Sequence, residues 1–235
     1  MLRGCFCHGD VRKSPHSPRR AKCMPRPCNN LLMLVLASAS PRRRELLTQA
    51  GVTFEVHPAH IPEDPNPNED PVAYVVRLAR QKAEAVFNQL TTEDAPGPSH
   101  LGTGEGKNLD PQSITVLGAD TTVTLDNQIL GKPTDPADAA RMLRLLSGRT
   151  HRVITGIALV TATRTEVAAE VTSVQFLTLS DEEIAAYIAT GEPMDKAGAY
   201  AIQGRAARWI PRITGDYFNV VGLPISLVST LLESR

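Results

Sequence analysis

The stretch LVLASASPRRRELL, residues 34–47, sets the type of fold because it passes from a strand to a helix within a few residues. The apolar run from Leu31 to Ala37 is typical of a buried strand, and Ser40-Pro41 marks the start of a helix. Three arginines, residues 42–44, then fall in the first helical turn, where cations oppose the helix dipole. This arrangement predicts a receptacle for a polyanion such as a triphosphate, with arginines that extend into solvent as the alternative.

Strand and helix patterns alternate along the rest of the chain. Strands are predicted at GVTFEVHPA (51–59), ITVLGAD (114–120), VITGIALV (153–160) and TSVQFLTL (172–179), with a short hairpin that turns at Asp126-Asn127. Helices are predicted from Val72 to Leu90, from Asp135-Pro136 to Gly148, and after Ser180, which forms a capping box with Glu183. The sequence therefore predicts an α/β fold in which a long mixed sheet is flanked by helices on both sides of a central cleft.

Charge is distributed unevenly along the 235 residues, although the formal net charge is zero. Residues 1–30 carry seven basic groups against one acid, so residues 31–235 are net acidic. A net acidic body argues against a broad nucleic-acid footprint and favours a local basic pocket for a small anion. Aromatic residues make up only 4% of the chain, which also argues against stacking platforms for single-stranded nucleic acid.

The first 30 residues form a separate segment that holds all four cysteines. It is rich in Arg, Pro and Cys and has no apolar periodicity, so we expect a disordered tail, or a segment upstream of a true start at Met33. A zinc site and a transit peptide are the less favoured alternatives. Residues 31–235 are expected to form one domain, with residues 91–113 as a surface insertion. No signal peptide or membrane span is found, which favours a cytoplasmic protein.

Candidate functional residues lie at the ends of predicted elements. Asp120 is expected to end the most apolar strand, where ligands of open α/β sheets gather, although it could equally be a turn residue. EPMDKAGAYAIQG (192–204) and the strand-like GDYFNVVGLP (215–224) are glycine-bounded segments that could hold a ligand or only form turns. GTGEGKN (102–108) departs from a phosphate-binding loop, which needs Gly-x4-Gly-Lys and then Ser or Thr.

Read in order, these segments resemble the Maf family of nucleoside triphosphate pyrophosphatases. The resemblance runs from about Met33 to the C-terminus and rests on LASASPRRRELL, RLARQKA, LGADTTVTLDNQILGKP, HRVITGIAL, EPMDKAGAYAIQG and GDYFNVVGLP. It implies an α/β fold similar to that of inosine triphosphate pyrophosphatases, with the substrate in a cleft between two lobes. It also implies hydrolysis of a nucleoside triphosphate to the monophosphate and pyrophosphate, assisted by a divalent cation, Mg²⁺ or Mn²⁺.

The resemblance implies a role for each matching position. Asp120 would be the proton acceptor that activates water, and Glu63 would share the metal with it. Glu63 lies in a loop where Asp64, Glu69 and Asp70 are alternatives. Ser38 and Arg43 would meet the phosphates, and Lys82 and Lys132 would act in catalysis by neutralising charge on the polyphosphate. Charge stabilisation of this kind supplies most of phosphoryl-transfer catalysis, and guanidinium groups suit phosphate oxygens.

Substrate choice is implied by three positions that separate branches of the family. Here they hold Arg42, Thr121 and Gln203, a set similar to that of the branch that cleaves dTTP and UTP. A side-chain amide such as Gln203 can pair with both the carbonyl and the N–H of a uracil-type edge. Thymine and uracil differ by one methyl group, worth only about 1–3 kcal/mol, so use of both, and of modified pyrimidine triphosphates, is expected.

Two other functions remain as alternatives. One is a nucleotide-binding regulator of cell division that does not turn over its ligand, since Maf proteins are also linked with septum formation. The other is a nucleic-acid-binding module that depends on the basic tail, which the acidic body disfavours. The expected partners are nucleoside triphosphates, with no nucleic acid and no membrane, and a homodimer is left open.

Overall fold

The computed structural model describes residues 33–92 and 110–234, which form a seven-stranded mixed sheet flanked by helices. The strands are β1 (Met33–Leu36), β2 (Glu55–Val56), β3 (Ile114–Leu125), β4 (Gln128–Leu130), β5 (Thr150–Val160), β6 (Thr165–Gln175) and β7 (Arg212–Thr214). The helices are α1 (Pro41–Gln49), α2 (Pro71–Thr91), α3 (Pro136–Leu146), α4 (Asp181–Ile188), α5 (Tyr217–Val221) and α6 (Ile225–Glu233). Short 3₁₀ turns occupy Pro111–Ser113, Glu192–Asp195, Ala197–Ala199 and Arg205–Trp209.

The sheet has a gap on one edge of β3. The strand order is β2-β1-β3-β5-β6-β7, with β1 parallel to β2 and β3 and the other pairs antiparallel. β1 pairs with β3 only as far as Leu117, and β4 pairs with the same edge from Val123 onward. Among the described strands, residues 118–122 therefore have a partner only on the β5 side. Backbone groups in this gap need other hydrogen-bond partners.

Two glycines bring α2 unusually close to the sheet. A Cβ atom on Gly118 of β3 would lie 2.0 Å from the carbonyl oxygen of Ala79, and one on Gly156 of β5 would lie 2.5 Å from the backbone of Val75. Because side chains alternate along a strand, Asp120 lies on the same face as Gly118 and therefore faces α2. The close approach lets a side chain of α2 reach Asp120.

The opposite face of the sheet is covered by α1 and α6. Their apolar side chains form one buried cluster with β1, β3 and β5, which includes Leu46, Leu117, Ile157 and Val228. A second cluster joins the far ends of β3, β5 and β6 to α3, α4 and the aromatic side chains of the 187–209 region. Thr121, the residue after Asp120, points to this opposite face.

Most predicted elements are confirmed, including the hairpin at Asp126-Asn127, where both residues have positive φ, and the capping box of α4. Four predictions need correction. The strand predicted at 172–179 is the end of β6, which spans Thr165–Gln175 and leaves residues 176–179 outside it. Asp120 does not end a strand, because β3 continues to Leu125 through pairing with β5 and β4. The segment 215–224 is not strand-like: Asp216 caps α5 by accepting from the backbone N–H of Phe218. The strand predicted at 51–59 is only two residues long.

Some predictions fall on other parts of the chain. The tail of residues 1–30, with its cysteines, and residues 93–109 of the expected insertion lie outside the described residues. The described ends of that insertion are regular, because Thr91 still belongs to α2 and Asp110 caps the 3₁₀ turn that precedes β3. Within the described residues, none of the helices has the length and apolar character required to cross a membrane.

Candidate active site

A buried lysine of α2 joins two carboxylates above the gap in the sheet. Nζ of Lys82 lies 2.7 Å from Oδ1 of Asp120 and 2.6 Å from Oε1 of Glu63. Lys82 and Asp120 are each 7% exposed, whereas Glu63 is exposed. Lysine and aspartate are seldom buried to this degree unless they are paired. The structure thus brings together three of the predicted site residues.

Burial and charge act in opposite directions on these groups. Burial raises the pKa of Asp120 above its usual value, against the lowering influence of the Lys82 and Arg43 charges. Burial also raises the pKa of Glu63. The hydrogen bond and charge of Lys82, with smaller effects of Lys132 and Arg43, outweigh burial and leave this pKa below its usual value. The two carboxylates therefore differ in basicity, and Asp120 is the better proton acceptor of the pair.

The backbone of the loop carrying Glu63 is fixed to α2 at that residue and at the next one. The hydroxyl of Tyr74 donates to the carbonyl oxygen of Glu63 at 2.8 Å, and Nη2 of Arg77 donates to that of Asp64 at 3.1 Å. Glu69 is engaged elsewhere, since both its oxygens contact Arg77 at 2.6 and 2.7 Å.

Asp70 is engaged elsewhere too, as the N-cap of α2, where it accepts from two backbone N–H groups. Of the four acids weighed for this position, Glu63 is the one that contacts Lys82. The predicted role of Glu63 in metal binding remains a prediction.

Arg43 fills the gap in the sheet from the other face. Its Nε donates to the carbonyl oxygen of Gly222 at 2.8 Å, and its Nη1 to the carbonyl oxygen of Ala119 at 2.9 Å and Oγ of Ser38 at 3.1 Å. Its Nη2 donates to Oγ1 of Thr121 at 3.0 Å. Four of its five N–H donors are therefore used within the protein, so it supports the site structurally besides any contact with phosphate.

A chain of hydroxyl groups continues from Arg43 into the sheet. Oγ1 of Thr121 and Oγ1 of Thr155 share a hydrogen bond of 2.9 Å, and the Thr155 hydroxyl donates to the carbonyl oxygen of Asn219 at 3.1 Å. Nδ2 of Asn219 donates in turn to the backbone of Val153 and to the hydroxyl of Thr172. The network fixes the 215–224 segment beside Ser38 and Thr121.

The remaining predicted residues lie around these two centres without direct contact to Asp120. Lys132 is exposed at the end of β4, and its charge still lowers the pKa of Glu63. Arg42 is half-buried. Burial raises the pKa of Asp195, but the hydrogen bond and charge of Lys196, with a smaller effect of Arg42, leave it below the usual value. Gln203 is exposed in the turn before the 3₁₀ turn Arg205–Trp209.

Sequence reasoning missed the residues that hold the site together. Tyr74 and Lys82 are eight residues apart and share the buried face of α2, a spacing that could have linked them. Thr155 is a polar residue within the apolar run VITGIALV, which is a weak signal for a buried hydroxyl. Asn219 carried no recognisable signal, because its segment was interpreted as a strand.

The carboxylates of Asp120 and Glu63 could supply only part of the ligand set of a divalent cation. Among the described residues, no group of three or more His, Cys, Asp or Glu side chains could hold a metal ion. Lys82 contacts one oxygen of Asp120 and one of Glu63, which leaves the second oxygen of each carboxylate as a possible metal ligand. Mg²⁺ is commonly held by one or two carboxylates together with substrate phosphates, and this donor set fits that pattern.

Comparisons with known proteins agree on one family. The family described as Maf-like protein matches residues 33–235. The dTTP/UTP pyrophosphatase of Koribacter versatilis (strain Ellin345) is 50% identical over 200 residues, which cover 85% of this chain and 93% of that protein. The dTTP/UTP pyrophosphatase of Thermococcus onnurineus (strain NA1) is 47% identical over 201 residues, covering 86% and 97% of the two chains.

A third relative gives the same picture. The dTTP/UTP pyrophosphatase of Geobacter sulfurreducens (strain ATCC 51573 / DSM 12127 / PCA) is 51% identical over 194 residues, with 82% of this chain and 91% of that protein covered. The family match over residues 33–235 includes all the site residues described above.

Proposed function

The chain belongs to the Maf family, and on that premise we propose that it is a nucleoside triphosphate pyrophosphatase that hydrolyses dTTP and UTP to the monophosphate and pyrophosphate. The observation that carries the proposal is the buried Lys82 between the carboxylates of Asp120 and Glu63. Three charged groups held this closely, with Asp120 shifted toward higher pKa, are more typical of a reaction centre than of a purely structural ion pair.

Asp120 is the proton acceptor in this proposal. Burial raises the pKa of Asp120, which makes it a stronger base than an ordinary carboxylate once it is ionised. A water held by Asp120 gives up a proton to the carboxylate and attacks the α-phosphorus. The bond between that phosphorus and the bridging oxygen breaks, and pyrophosphate leaves with the electron pair.

Cationic side chains stabilise the charge that develops during this displacement. Lys82 contacts Asp120 and in this proposal also meets a phosphate oxygen, and Lys132 provides a second ammonium group from the turn after β4. Ser38 accepts from Arg43 and from the backbone N–H of Ser40, so its own hydroxyl proton can be donated to a phosphate. Positioning and charge stabilisation supply most of the rate in such reactions.

Asp120 and Glu63 would hold the divalent cation, Mg²⁺ or Mn²⁺, through the oxygens that Lys82 does not contact. When bound, the cation supplies Lewis-acid stabilisation of phosphate oxygens. The attachment of the Glu63 loop to Tyr74 and Arg77 holds the backbone that carries the second carboxylate, and Lys82 contacts both carboxylates. Chelation of divalent ions is expected to abolish turnover, and restored Mg²⁺ to recover it.

Base recognition is assigned to Arg42, Thr121 and Gln203. Thr121 lies next to Asp120 in β3 but faces the α1 side of the sheet, where Arg43 and Thr155 fix its hydroxyl. The amide of Gln203 can pair with the edge of uracil or thymine, and a site that relies on such bonds disfavours bases that leave it unpaired.

The test is pyrophosphate release by the full chain from each common nucleoside triphosphate, with Mg²⁺ or Mn²⁺. Asp120→Asn is the site variant, and Asp126→Asn is its matched control, since Asp126 is an exposed turn residue paired with Arg149. The proposal requires cleavage of dTTP and UTP by the wild type and the control, and at least about a hundredfold loss in Asp120→Asn. Equal activity of the two variants would refute the role of Asp120.

A regulator that binds nucleotide without turnover is the competing function, and the same experiment separates the two. Binding of dTTP or UTP without release of pyrophosphate by the wild type would favour the regulator. We further propose that residues 31–235 form the pyrophosphatase domain and that the protein acts in the cytoplasm on free nucleotides. A homodimer is compatible with this proposal and is not required by it.

A further inference from the structure

Gln203 is carried by a tight turn whose two ends are anchored to the same pair of side chains. The backbone N–H of Gly204 donates to the carbonyl oxygen of Ala201 at 3.1 Å, which closes a four-residue turn with Gln203 at its third position. Gln203 is exposed, so its direction depends on how the backbone of this turn is held.

The pair consists of Tyr187, at the end of α4, and Glu192. The Tyr187 hydroxyl is 2.8 Å from Oε1 of Glu192 and accepts from the backbone N–H of Ala201 at 3.2 Å. On the other side of the turn, the backbone N–H of Arg205 donates to Oε1 and Oε2 of Glu192 at 3.1 and 3.3 Å. Tyr187 thus holds the residue that opens the turn, and Glu192 holds the residue after its end.

The glycine that ends the turn is matched to the carboxylate. A Cβ atom on Gly204 would lie 1.8 Å from Oε1 of Glu192, so any larger residue here would push the carboxylate away from the turn. Tyr187 is 2% exposed and packs edge-to-face on Trp209, with ring centroids 5.0 Å apart. The Tyr187 half of the anchor therefore belongs to the buried aromatic core, whereas Glu192 is half-buried.

The turn also lies on the side of the sheet that Thr121 faces. Ile202 packs against the apolar cluster of α1, β1 and α6, and Tyr200 belongs to the aromatic cluster. Gly198 packs on Val123, which is two residues beyond Thr121 on the same face of β3. A shift of the turn would therefore move Gln203 relative to Thr121.

We propose that Glu192 is a positioning residue for base recognition: with Tyr187, it fixes the turn that presents Gln203 and so sets the preference for uracil and thymine. The inference rests on the proposed role of Gln203 in substrate choice. Glu192 does not touch the reacting atoms, so its loss weakens recognition of the base and leaves the chemical step largely unchanged.

The experiment compares Glu192→Ala, Glu192→Gln and Tyr187→Phe in the full chain, with dTTP, UTP and dATP as substrates. Glu192→Ala is expected to raise KM for dTTP and UTP about tenfold, with kcat within about twofold and little change for dATP. Glu192→Gln should stay near wild type, because the amide oxygen can accept from both Tyr187 and the Arg205 N–H. Tyr187→Phe should resemble Glu192→Ala.

Two further variants separate positioning from a general structural role. In the Gln203→Ala background, Glu192→Ala should cause no additional loss, because both changes remove the same recognition. Asp181→Ala removes an exposed carboxylate at the start of α4, which pairs with Arg144 of α3. This variant should leave the base preference unchanged. Melting temperatures of all variants are measured beside the kinetics.

Binding provides a readout that does not depend on turnover. Affinities are measured for imido analogues of dUTP and dATP in which nitrogen replaces the bridging oxygen between the α- and β-phosphates. A wild type that releases no pyrophosphate but prefers the dUTP analogue, with that preference lost in Glu192→Ala, would refute the proposed function and support this inference.

Three results with the variants would overturn the inference. They are an unchanged base preference in Glu192→Ala, an equal loss of kcat with every substrate, and losses that multiply in the double variant with Gln203→Ala. A wild type without any base preference would overturn it as well.

Discussion

At the scale of single residues, the burial of Asp120 against two cations determines how the protein should respond to pH. Burial favours the protonated carboxyl group, and the net effect is a raised pKa. The folded chain therefore binds a proton at Asp120 at a pH where the unfolded chain has already released it. The contribution of Asp120 to the free energy of unfolding therefore falls as the pH rises through that interval. Over the same interval Asp120 loses its proton and becomes able to act as a base.

The first prediction concerns the pH dependence of turnover. We expect kcat/KM to fall on the acid side with an apparent pKa above about 3.9, the ordinary value for aspartate, because Asp120 must be ionised to accept a proton. The measurement is a pH profile of pyrophosphate release at substrate concentrations below KM. An acid limb at or below the ordinary value would show that another group controls the reaction.

Arg43 was predicted from the sequence as a site residue, but its main contacts were not predicted. The run of arginines pointed to an anion site, but the sequence could not reveal that Gly222 and Ala119 would take two of the donors, because these carbonyl groups are distant in sequence. The gap beside β3 leaves the carbonyl group of Ala119 without a strand partner, so that Arg43 can bind it. Such a gap produces no pattern in the local sequence. The predicted contact of Arg43 with phosphate stays a prediction.

The second prediction follows from these contacts. Arg43→Lys should lower the free energy of unfolding by about 2–4 kcal/mol, because an ammonium group cannot reproduce four hydrogen bonds in a fixed planar arrangement. Arg44→Lys, in the same turn but exposed, is the control and should change stability by less than about 0.5 kcal/mol. Denaturant unfolding measures both, and equal stabilities would contradict the structural role of Arg43.

At the scale of elements, the long strand β3 and the helix α2 do most to place the site. Helices α1 to α4 were predicted, since periodicity and caps such as Asp135 and Ser180 are local signals. The full length of β3 was not predicted, because Asp120 and two threonines look like the end of a strand when the pairing with β5 is unknown. α5 was missed because its five residues are too few to show a helical period.

The third prediction tests the close contact of α2 with the sheet. Gly118→Ala should destabilise the protein by about 2 kcal/mol or more, because the added methyl group collides with the backbone of Ala79 and must displace α2. It should also reduce activity, since the displaced helix carries Lys82 away from Asp120. Gly131→Ala is the control for stability, because a Cβ atom there meets nothing within 4 Å. The free energies of unfolding of the two variants decide the matter.

At the scale of the whole molecule, the aromatic cluster connects the sheet to the segment that carries Gln203. His151 of β5 lies within it, 2% exposed, with Nε2 at 2.8 Å from the Tyr200 hydroxyl and its ring edge-to-face with Phe176. Burial lowers the pKa of His151 to about 4, so the folded chain keeps this ring neutral where an unfolded chain would protonate it.

The fourth prediction is a loss of stability in acid that depends on His151. The stabilising contribution is complete above about pH 6.5, the unfolded value, and is lost as the pH falls through about 4. The free energy of unfolding should decline by about 3 kcal/mol over this interval, and by clearly less in His151→Gln. Thermal or denaturant unfolding at several pH values measures the slope, and identical slopes would refute the assignment.

The fifth prediction concerns the boundary of the domain. Removal of residues 1–30 should leave the unfolding transition and the turnover of dTTP unchanged, because the Maf-like match begins at residue 33 and the described strands begin there too. Removal through residue 37 should prevent folding, since it deletes β1 and the apolar contacts of Leu34 and Leu36. Loss of activity in the shorter truncation would give the basic tail a direct role.

The alternation of side chains along β3 has a consequence for how the protein can evolve. Asp120 contacts Lys82 on one face and Thr121 contacts Arg43 on the other, although the two residues are neighbours in sequence. On the roles proposed above, a new preference for a base can arise by substitution on the Thr121 face while the reaction itself is inherited intact. Insertion or deletion of a single residue before Asp120 would exchange the two faces, so this strand should diverge by substitution and not by changes in length.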